Sequence, residues 1–377
     1  MEFKNCFKLD AKPSLLGFGC MRFPTIKDEE GKYIIDYSLT EKMVDYALKS
    51  GVNYIDTAYP YHNGESEVVV GKIMKKYPRN SFYLATKLPM WKVESKEQVR
   101  DIFEEQLKKL QMDYVDFYLL HALNAERFDK VIKYEVLEEC LKLKAEGKIK
   151  YIGFSFHDDY EVFEKILNYY DWDFCQIQLN YMDIYEQAGL KGLNLAGEKG
   201  IPVVIMEPVM GGSLANLSND VNELFKNYNN NASVTSWALR YVASFDEVMT
   251  VLSGMSNFEQ VADNINTFTN FDKLNFEEEE IISKARDLIN AKIKSKCTGC
   301  QYCMPCPKGV NIPRAFRTWN EWAMYNKGEN FIKQYKNSIK EQGSPLDCIE
   351  CGKCEKQCPQ KINIRNDLKI VSKDFDL

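Results

Sequence analysis

The chain has 377 residues, a formal net charge of −6 and 45% apolar residues. This length allows two domains or one large barrel with an appendage, and the composition excludes an intrinsically disordered chain. No apolar run approaches the ~20 residues of a membrane span, and residues 1–10 lack a signal-peptide core, so we expect a cytoplasmic protein without membrane contact.

Predicted strands alternate with helical patterns over the first 290 residues. A representative helix covers residues 95–110, where Ser95 and Gln98 have the spacing of a capping box and apolar residues recur on one face. Eight βα units over this length predict a closed (β/α)8 barrel, a TIM barrel of the α/β class. The predicted strands are 15–18, 53–56, 82–86, 115–120, 151–155, 174–179, 203–206 and 248–252.

A doubly wound open sheet is the alternative architecture. Its dinucleotide-binding form needs a Gly-x-Gly-x-x-Gly turn between the first strand and a helix. The candidate, Gly17-Phe18-Gly19, is not completed by a third glycine, and no helical pattern follows it directly. The sequence therefore favours the barrel.

Polar residues follow the predicted strands at their carboxyl ends, where (β/α)8 enzymes place their chemistry. Asp, Lys and His side chains are rarely buried without a partner. Each residue alone is equally well interpreted as a satisfied polar group of the core, but their convergence on one rim predicts an active site. They are Asp56, Lys87, His121, Ser155, Gln178, Asn180, Glu207, Ser253 and Gly254.

Four separated motifs resemble, in the same order, those of the aldo-keto reductase family. The motifs are Asp56-Thr57-Ala58 with Tyr61 and Glu67, Ala85-Thr86-Lys87, Leu119-Leu120-His121, and residues 147–155. The resemblance extends from about residue 16 to residue 264. It implies a (β/α)8 barrel that uses a nicotinamide cofactor, NAD or NADP, without a Rossmann fold.

The resemblance also implies a catalytic set of Asp56, Tyr61, Lys87 and His121. Carbonyl reduction needs a hydride and a proton, and a free tyrosine with a pKa of ~10 is a poor acid near neutrality. A buried Lys87 beside Tyr61 is expected to lower that pKa. Asp56 is expected to keep the lysine charged, and His121 to orient the carbonyl.

For the cofactor, the resemblance implies contacts from the loop after the first strand, from later strand ends and from residues 206–214. The run 254–264 resembles the family's adenosine-binding strip, and two adjacent glycines are expected to bring backbone N–H groups close to a diphosphate. The implied residues are Gly19, Cys20, Met21, Ser155, Gln176, Asn180, Gly211, Gly212, Gly254, Ser256, Gln260 and Asn264.

Two departures from the family leave the preference between NAD and NADP open. Phe156 stands where many relatives have an asparagine that holds the nicotinamide carboxamide. Gly254 and Gln260 stand where many relatives direct Lys and Arg at the 2′-phosphate of NADP. His157 is interpreted as a loop residue rather than a catalytic one.

Eight of the 12 cysteines lie between residues 297 and 358, in two motifs of four. The second motif has the Cys-x2-Cys-x2-Cys-x3-Cys-Pro spacing of bacterial ferredoxins, and the first is one residue shorter in its last gap. Zinc ribbons are the alternative, but they use two Cys-x2-Cys pairs separated by a longer loop. We therefore predict two 4Fe–4S clusters, with the ligands Cys297, Cys300, Cys303, Cys306, Cys348, Cys351, Cys354 and Cys358.

In two-cluster ferredoxins the fourth cysteine of each motif ligates the other cluster. By this crossed pattern, Cys358 joins the first three cysteines of the first motif, and Cys306 joins the first three of the second. Of the four remaining cysteines, Cys6, Cys140 and Cys175 are interpreted as small core residues, and Cys20 occupies the implied cofactor loop.

The charge balance changes where the cysteine motifs begin. Residues 294–377 contain 15 Lys or Arg and 9 Asp or Glu, a net charge of +6, so that residues 1–293 carry −12. We predict a barrel in residues 1–290 and a helical ferredoxin-like domain in residues 291–377. The basic charge either compensates anionic clusters or forms a dock for an acidic electron carrier such as a ferredoxin or flavodoxin. Because the chain is acidic overall, we expect no nucleic-acid partner.

Together these features predict an iron-sulfur oxidoreductase of aldo-keto reductase type in the cytoplasm of an anaerobic organism. Its substrate would be a small carbonyl or alcohol, with electrons passing through the clusters. Two alternatives remain open. In one, the clusters reduce a substrate in the pocket one electron at a time without nicotinamide, and in the other the barrel is a redox-sensing binding module.

Overall fold

The computed structural model describes residues 1–4 and 9–377, and within these ranges eight parallel strands close into a barrel. Two further strands, β2 and β3, form a separate antiparallel hairpin. The strands are β1 (Leu16–Gly19), β2 (Thr25–Lys27), β3 (Tyr33–Ile35), β4 (Tyr54–Asp56), β5 (Tyr83–Leu88), β6 (Val115–Leu123), β7 (Ile149–Phe156), β8 (Phe174–Gln178), β9 (Val203–Met206) and β10 (Val248–Gly254). β10 closes the barrel by pairing with β1, which confirms the (β/α)8 fold and excludes an open sheet.

Helices follow the barrel strands and continue to the end of the chain. They are α1 (Tyr37–Lys49), α2 (Ser66–Met74), α3 (Lys96–Leu110), α4 (Ala125–Lys133), α5 (Val136–Ala145), α6 (Tyr160–Leu167), α7 (Gly189–Glu198), α8 (Asn219–Tyr228), α9 (Val234–Ala243), α10 (Phe258–Thr269), α11 (Phe276–Asn290), α12 (Ile312–Met324), α13 (Glu329–Gln342), α14 (Lys353–Gln357) and α15 (Ile364–Asp374). The predicted helix 95–110 is α3, and Ser95 caps it by accepting a hydrogen bond from the Gln98 N–H. In the described ranges, no helix has both the length and the apolar character needed to cross a bilayer.

The hairpin of β2 and β3 is a feature that the strand prediction missed. Its turn is organised by Asp28, whose carboxylate accepts hydrogen bonds from the N–H groups of Glu30 and Lys32. Gly31 has a φ of +78°, which glycine adopts without strain. An Asp-x-x-Gly turn between two short β-branched runs is the sequence signal that identifies such a hairpin.

The barrel interior is filled by aromatic and aliphatic side chains from alternate strand positions. Phe117 of β6 is at the centre, with its ring centroid 5.1 Å from that of Tyr54 and 5.0 Å from that of Phe174. A larger apolar cluster lies between the strands and their helices and includes Cys140 and Cys175, which are buried as predicted. Cys6 lies outside the described residues.

Contacts divide the chain into two compact units, residues 1–211 with 235–275 and residues 212–234 with 276–377. In the second unit, α12 packs with α15 around Phe316, and the Trp319 indole donates a 2.8 Å hydrogen bond to Asp374. In the same unit, Lys292 pairs with Asp220 at 2.7 Å and ties the end of α11 to α8. The boundary near residue 290 stays a prediction.

Candidate active site and cysteine cavities

Side chains alternate between the two faces of a strand, and this period directs the candidate residues toward the carboxyl end of the barrel interior. On β6, Phe117 and Leu119 lie inside the barrel, so His121 follows them on the same face. Lys87 follows the interior residue Ala85 of β5 in the same way. The matching positions on neighbouring strands are Asp56, Ser155, Gln176 and Gln178.

Lys87 lies at the centre of this group, and its side chain has no exposure to solvent. Its Nζ donates hydrogen bonds to Oδ1 of Asp56 at 2.7 Å, to the carbonyl oxygen of Thr57 at 2.8 Å and to Oη of Tyr61 at 3.2 Å. Burial alone would lower the pKa of Lys87, but the charge of Asp56 and the interactions with Tyr61 raise it above its ordinary value. The lysine is therefore a charged ammonium group in a buried setting.

Tyr61 is half-buried, and its hydroxyl group is in contact with that ammonium group. Burial raises the pKa of Tyr61 above its ordinary value, and the positive charge of Lys87 opposes the rise. The expectation of a lowered pKa is wrong, because desolvation of the phenolate outweighs the attraction to the lysine. Tyr61 consequently retains its proton at neutral pH.

The turn after Tyr61 has a strained backbone. His62 and Asn63 have φ angles of 50° and 55°, in the left-handed region that costs a residue with a side chain about 1–2 kcal/mol. The His62 ring stacks on that of the buried Phe23, with 5.9 Å between ring centroids. Strained residues persist only where the surrounding structure holds them, which is typical of functional sites.

His121 faces Tyr61 with an edge-on geometry, 6.2 Å between ring centroids. The His121 ring also lies close to that of Trp91, at 5.2 Å between centroids, a residue that the sequence did not single out. Burial, together with the positive charge of Lys87, lowers the pKa of His121 well below its ordinary value. The imidazole is therefore neutral near pH 7, and its buried Nδ1 has no hydrogen-bond partner within the described residues.

Ser155 determines the backbone conformation next to His121. Its Oγ accepts a 2.7 Å hydrogen bond from the N–H of Ala122, which has a φ of +53°. This conformation is unfavourable for alanine, so the hydrogen bond helps to hold it. The structure thus shows Ser155 bracing the end of β6.

A buried polar network supports Lys87 from the side of α3. Gln106 donates from Nε2 to the Lys87 carbonyl oxygen at 3.0 Å and to Oε1 of Glu67 at 2.7 Å. Glu67 also accepts from Thr86 at 2.7 Å, and Tyr118 donates to Gln106 at 2.8 Å. Gln106 was not among the predicted site residues, but a glutamine on the apolar face of an amphipathic helix is a detectable signal for such a network.

The implied nicotinamide contacts differ in their remaining hydrogen-bonding capacity. Gln176 is buried and its Oε1 has no donor within the described residues, although its Nε2 contacts Sδ of Met206 at 3.5 Å. Asn180 accepts from the N–H groups of Met182 and Asp183, each at 2.9 Å, and so braces a turn. Of these two residues, Gln176 has the free acceptor that a carboxamide N–H would satisfy.

The implied adenosine strip coincides with the start of α10. The Ser256 N–H donates to Oε1 of Gln260 at 2.7 Å, and the Gln260 N–H donates to the capping residue Asn257 at 2.9 Å. Asn264 is buried and donates to Oγ of Ser253 at 2.9 Å, which ties α10 to β10. Ser256 and Gln260 are exposed, whereas Asn264 is not accessible.

Cys20, Met21 and Arg22 directly follow β1 and form the implied cofactor loop. A Cβ at Gly19 would lie 3.2 Å from the Ser253 carbonyl oxygen, so a side chain there would crowd the backbone of β10. The Cys20 side chain is fully buried, whereas Met21 is 59% exposed. Cys20 therefore presents no accessible surface to a cofactor, whereas Met21 does.

Glycine positions flank the side chain of Arg22, which the sequence did not single out. A Cβ at Gly254 would lie 2.9 Å from Cγ of Arg22, and a Cβ at Gly211 would lie 3.2 Å from its Nη2. Gly211 and Gly212 have φ angles of 62° and 94°, and Gly212 begins the segment that belongs to the second unit.

Phe156 stands at the sequence position of the family's asparagine, but its side chain does not face the barrel interior. It is the strand neighbour of Ser155, so its ring points toward the helices and contacts the Phe163 ring of α6, 5.2 Å between centroids. The next residue, His157, is exposed, and its Nδ1 lies 3.2 Å from Oε1 of Gln187.

Two cavities in the second unit are lined by cysteine thiols. Cavity A is lined by Cys297, Cys300, Cys303 and Cys358, and cavity B by Cys303, Cys306, Cys348, Cys351 and Cys354. Cavity B has a volume of about 120 Å³, and Ile312 lines both cavities. None of the cysteines in the described ranges forms a disulfide.

The thiols line cavities and do not converge on the position of a single ion. In residues 1–4 and 9–377, no three His, Cys, Asp or Glu side chains converge as a mononuclear metal site requires. A tetrahedral zinc ion held by four thiolates leaves no internal space, whereas an iron-sulfur cluster fills one. The volume of cavity B, about 120 Å³, therefore fits a polynuclear iron-sulfur group better than a single zinc ion, whereas cavity A has a volume of about 20 Å³.

Comparison with known proteins agrees with this geometry. Residues 15–287, well over half of the chain, match the Aldo/keto reductase family. The chain belongs to the aldo/keto reductase family. Residues 296–363 match a 4Fe-4S dicluster domain, so this aldo/keto reductase is an oxidoreductase with an iron-sulfur domain after its barrel.

Similar proteins include two curated enzymes and a solved structure. L-galactose dehydrogenase of Arabidopsis thaliana is 28% identical over 256 residues, which cover 62% of this chain and 79% of the plant protein. NADH-specific methylglyoxal reductase of Escherichia coli (strain K12) is 27% identical over 264 residues, which cover 58% of this chain and 79% of that protein. The holo form of an aldo-keto reductase from Bacillus halodurans has a TM-score of 0.63 at 28% identity, covering 76% of this chain and 96% of that one.

Replacing His121 by glutamine is expected to make this aldo/keto reductase less sensitive to acid. The lowered pKa keeps His121 neutral in the folded state, whereas in the unfolded state it protonates below pH ~6.5. The unfolded state then binds the extra proton, so the free energy of unfolding falls by about 1.4 kcal/mol per pH unit below that value. Urea unfolding at pH 6.5 and 5.5 should show a loss about 1 kcal/mol larger for the wild type than for His121→Gln.

The exposed His157 provides the control, because His157→Gln should leave most of the wild-type pH dependence in place. Equal losses of stability for the wild type and His121→Gln would contradict the neutral, buried state of His121.

Proposed function

We propose that the chain is a nicotinamide-dependent oxidoreductase that interconverts a small carbonyl compound and its alcohol in the barrel, and that passes electrons through two 4Fe–4S clusters. The observation that carries this proposal is the buried ammonium group of Lys87, 2.7 Å from Asp56 and 3.2 Å from the hydroxyl of Tyr61. The relatives named above, a dehydrogenase and a reductase, support both directions of the reaction.

Tyr61 acts as the proton donor for carbonyl reduction. Its raised pKa keeps the proton on Oη until the carbonyl oxygen becomes basic, and the O–H bond then breaks as a new O–H bond forms on the substrate. The phenolate that remains is stabilised by the Lys87 ammonium, which is already in place at 3.2 Å. In the direction of alcohol oxidation, the same phenolate accepts the proton.

His121 orients the substrate carbonyl. Because its imidazole is neutral, one ring nitrogen carries a hydrogen and donates to the carbonyl oxygen without adding a second cation beside Lys87. The exposed Trp91 next to His121 provides an aromatic wall for a small substrate. These residues define the substrate class only as a carbonyl or alcohol that fits between aromatic rings.

The residues of the barrel fit a nicotinamide cofactor. The free Oε1 of Gln176 can accept a hydrogen bond from a carboxamide. When bound, the nicotinamide supplies or accepts the hydride. Both NAD and NADP are candidates for this cofactor. Gly254 and Gln260 bring no cation to the 2′-phosphate of NADP, and the NADH-specific relative supports NAD.

The two cysteine cavities support crossed ligation of the clusters. Cys358 lines cavity A with the first three cysteines of the first motif, and Cys306 lines cavity B with the first three cysteines of the second motif. Cys303 lines both cavities, so we propose that it ligates the cluster of cavity A and that Cys306 is the ligand that the first motif contributes to cavity B. When bound, the clusters supply one-electron transfer.

An acidic one-electron carrier is the proposed partner of the iron-sulfur domain. Residues 294–317 contain five Lys or Arg and no Asp or Glu, whereas residues 318–377 contain ten Lys or Arg and nine Asp or Glu. The positive charge is thus concentrated around the first cysteine motif, where Cys300 and Tyr302 are exposed. Such a patch attracts an acidic protein of the ferredoxin or flavodoxin type.

Tyr61→Phe should abolish carbonyl reduction while leaving the folded protein and its iron content intact. Losing a general acid lowers kcat by about 10²–10⁴-fold. The measurement is the turnover of methylglyoxal with NADH and with NADPH. The matched control is Tyr59→Phe, since Tyr59 bonds to Glu105 and Lys92 rather than to Lys87. Normal turnover by Tyr61→Phe would overturn the assignment of the proton donor.

Serine substitutions should reveal which cysteines share a cluster. Crossed ligation predicts that Cys358→Ser changes the same EPR signal as Cys300→Ser, and that Cys306→Ser changes the same signal as Cys351→Ser, each with a loss of iron. Cys140→Ala, in the barrel, should keep all the iron. If Cys306→Ser instead changes the same signal as Cys300→Ser, and Cys358→Ser the same signal as Cys351→Ser, the ligation is uncrossed.

Charge reversal around the first motif should slow electron transfer from a reduced acidic ferredoxin. The double variant Lys296→Glu/Arg317→Glu is expected to lower the association rate about ten-fold at low salt, with the difference shrinking as salt increases. The control is Lys333→Glu/Lys340→Glu, on α13, which makes the same change of net charge away from the first motif. Equal effects of the control and the double variant would contradict a localised dock.

A further inference from the structure

An arginine side chain is held next to His121 at the carboxyl end of the barrel. Arg127 lies in the first turn of α4, shortly after β6. Its Nη1 donates a 2.6 Å hydrogen bond to the carbonyl oxygen of Ala122, which is the residue after His121 in the chain. The guanidinium group is therefore fixed beside the residue that orients the substrate carbonyl.

Trp91 lies between the two side chains. The guanidinium carbon of Arg127 is 5.5 Å from the centroid of a Trp91 ring, and the Trp91 and His121 ring centroids are 5.2 Å apart. Trp91 is 39% exposed and Arg127 is half-buried, so both keep surface that a ligand can reach. A small molecule that is hydrogen-bonded to His121 therefore has an aromatic surface and a cation within reach.

The positive charge of Arg127 has no acidic partner in the part of the chain that the structure describes. Other arginines are paired there, such as Arg100, which bonds to both Glu139 and Glu146. A guanidinium group has five N–H donors, and the hydrogen bond to the Ala122 carbonyl uses only one nitrogen, Nη1. The remaining donors and the charge are available to a ligand.

The neighbouring titratable groups also leave room for a negative charge. Burial is the largest cause of the lowered pKa of both His121 and His157, and the positive charge of Arg127 lowers each pKa further. Arg127 is thus within electrostatic reach of both histidines. The His157 N–H donates to the Leu123 carbonyl oxygen at 2.9 Å, which keeps the ends of β6 and β7 together. The charge of Glu207 acts on His157 and raises its pKa.

We propose that the substrate is an oxo acid or the corresponding hydroxy acid, and that Arg127 binds its carboxylate while His121 holds its carbonyl or hydroxyl oxygen. This specificity rests on the function proposed above and narrows its substrate class. A guanidinium group binds a carboxylate through two parallel N–H···O bonds, which fixes the orientation of the substrate. One guanidinium matches the single charge of a carboxylate, whereas a phosphate monoester carries a charge of about −1.5 to −2.

The positions of the two groups also limit the length of the substrate. Arg127 and His121 both contact the ring system of Trp91, so the carboxylate and the carbonyl are separated by a chain of a few carbon atoms or by one aromatic ring. The apolar part of such a molecule packs against the indole. Two acids of this size are 4-oxobutanoate and 4-carboxybenzaldehyde.

The test compares each of these acids with its uncharged methyl ester, using the full chain with its clusters and following the oxidation of NADH or NADPH. The wild type should have a kcat/KM for each acid at least ten-fold above that for its ester. Arg127→Ala should remove this preference by raising the KM for the acids about 10- to 100-fold, with the esters changed less than about two-fold. Arg127→Lys should restore part of the preference.

The control variant is Lys133→Ala, which removes an exposed positive charge from the other end of α4 and should leave the preference unchanged. Iron content and circular dichroism confirm that each variant is folded. Arg127→Gln repeats the test with an uncharged side chain that can still donate to the Ala122 carbonyl oxygen.

Each contrary outcome overturns a specific statement. Equal kcat/KM values of the wild type for acid and ester would refute the carboxylate site and leave carbonyl reduction in place. Equal losses for acid and ester in Arg127→Ala and Arg127→Gln would show that Arg127 only supports the backbone next to His121. If the wild type reduces none of the four aldehydes with either nucleotide, the proposed function itself fails, and the substrate class fails with it.

Discussion

The burial of one positive charge constrains the whole end of the barrel. Lys87 has no exposure, and an ammonium group in such a setting is stable only when its hydrogens are paired and its charge is compensated. Asp56 on β4 provides the countercharge, and the Thr57 carbonyl and Tyr61 provide the other acceptors. Removing one partner from such a site typically costs about 3–5 kcal/mol, so two strand ends and the following loop are held together.

The same constraint shapes the chemistry of the neighbouring groups. Burial raises the pKa of Tyr61 and lowers that of His121, so both side chains are uncharged and both can donate hydrogen bonds near neutral pH. The lysine remains the only charged donor among the three. An electrophilic carbonyl placed between them would meet a proton source, a neutral donor and a fixed positive charge.

The closed barrel confirms the predicted fold. The sequence could predict it because each barrel strand has a local pattern of residue types. Short β-rich runs and helical spacing recur often enough to locate all eight strands, although their ends shift by up to three residues. The hairpin of residues 25–35 was not predicted, because its strands are three residues long and mostly exposed. Gln106 and Trp91 escaped it because their partners, Lys87 and His121, lie on other elements.

The sequence by itself determined the residue types and spacings that carry chemistry. These are the family motifs around Asp56 and Lys87, the two four-cysteine motifs and the concentration of basic charge at residues 294–317. Only the tertiary structure decided the direction of the Tyr61 pKa, the outward orientation of Phe156 and the position of Arg22 between Gly211 and Gly254. The reason is physical: spacing along a chain records local geometry, whereas burial and contact depend on segments that are distant in sequence and adjacent in the fold.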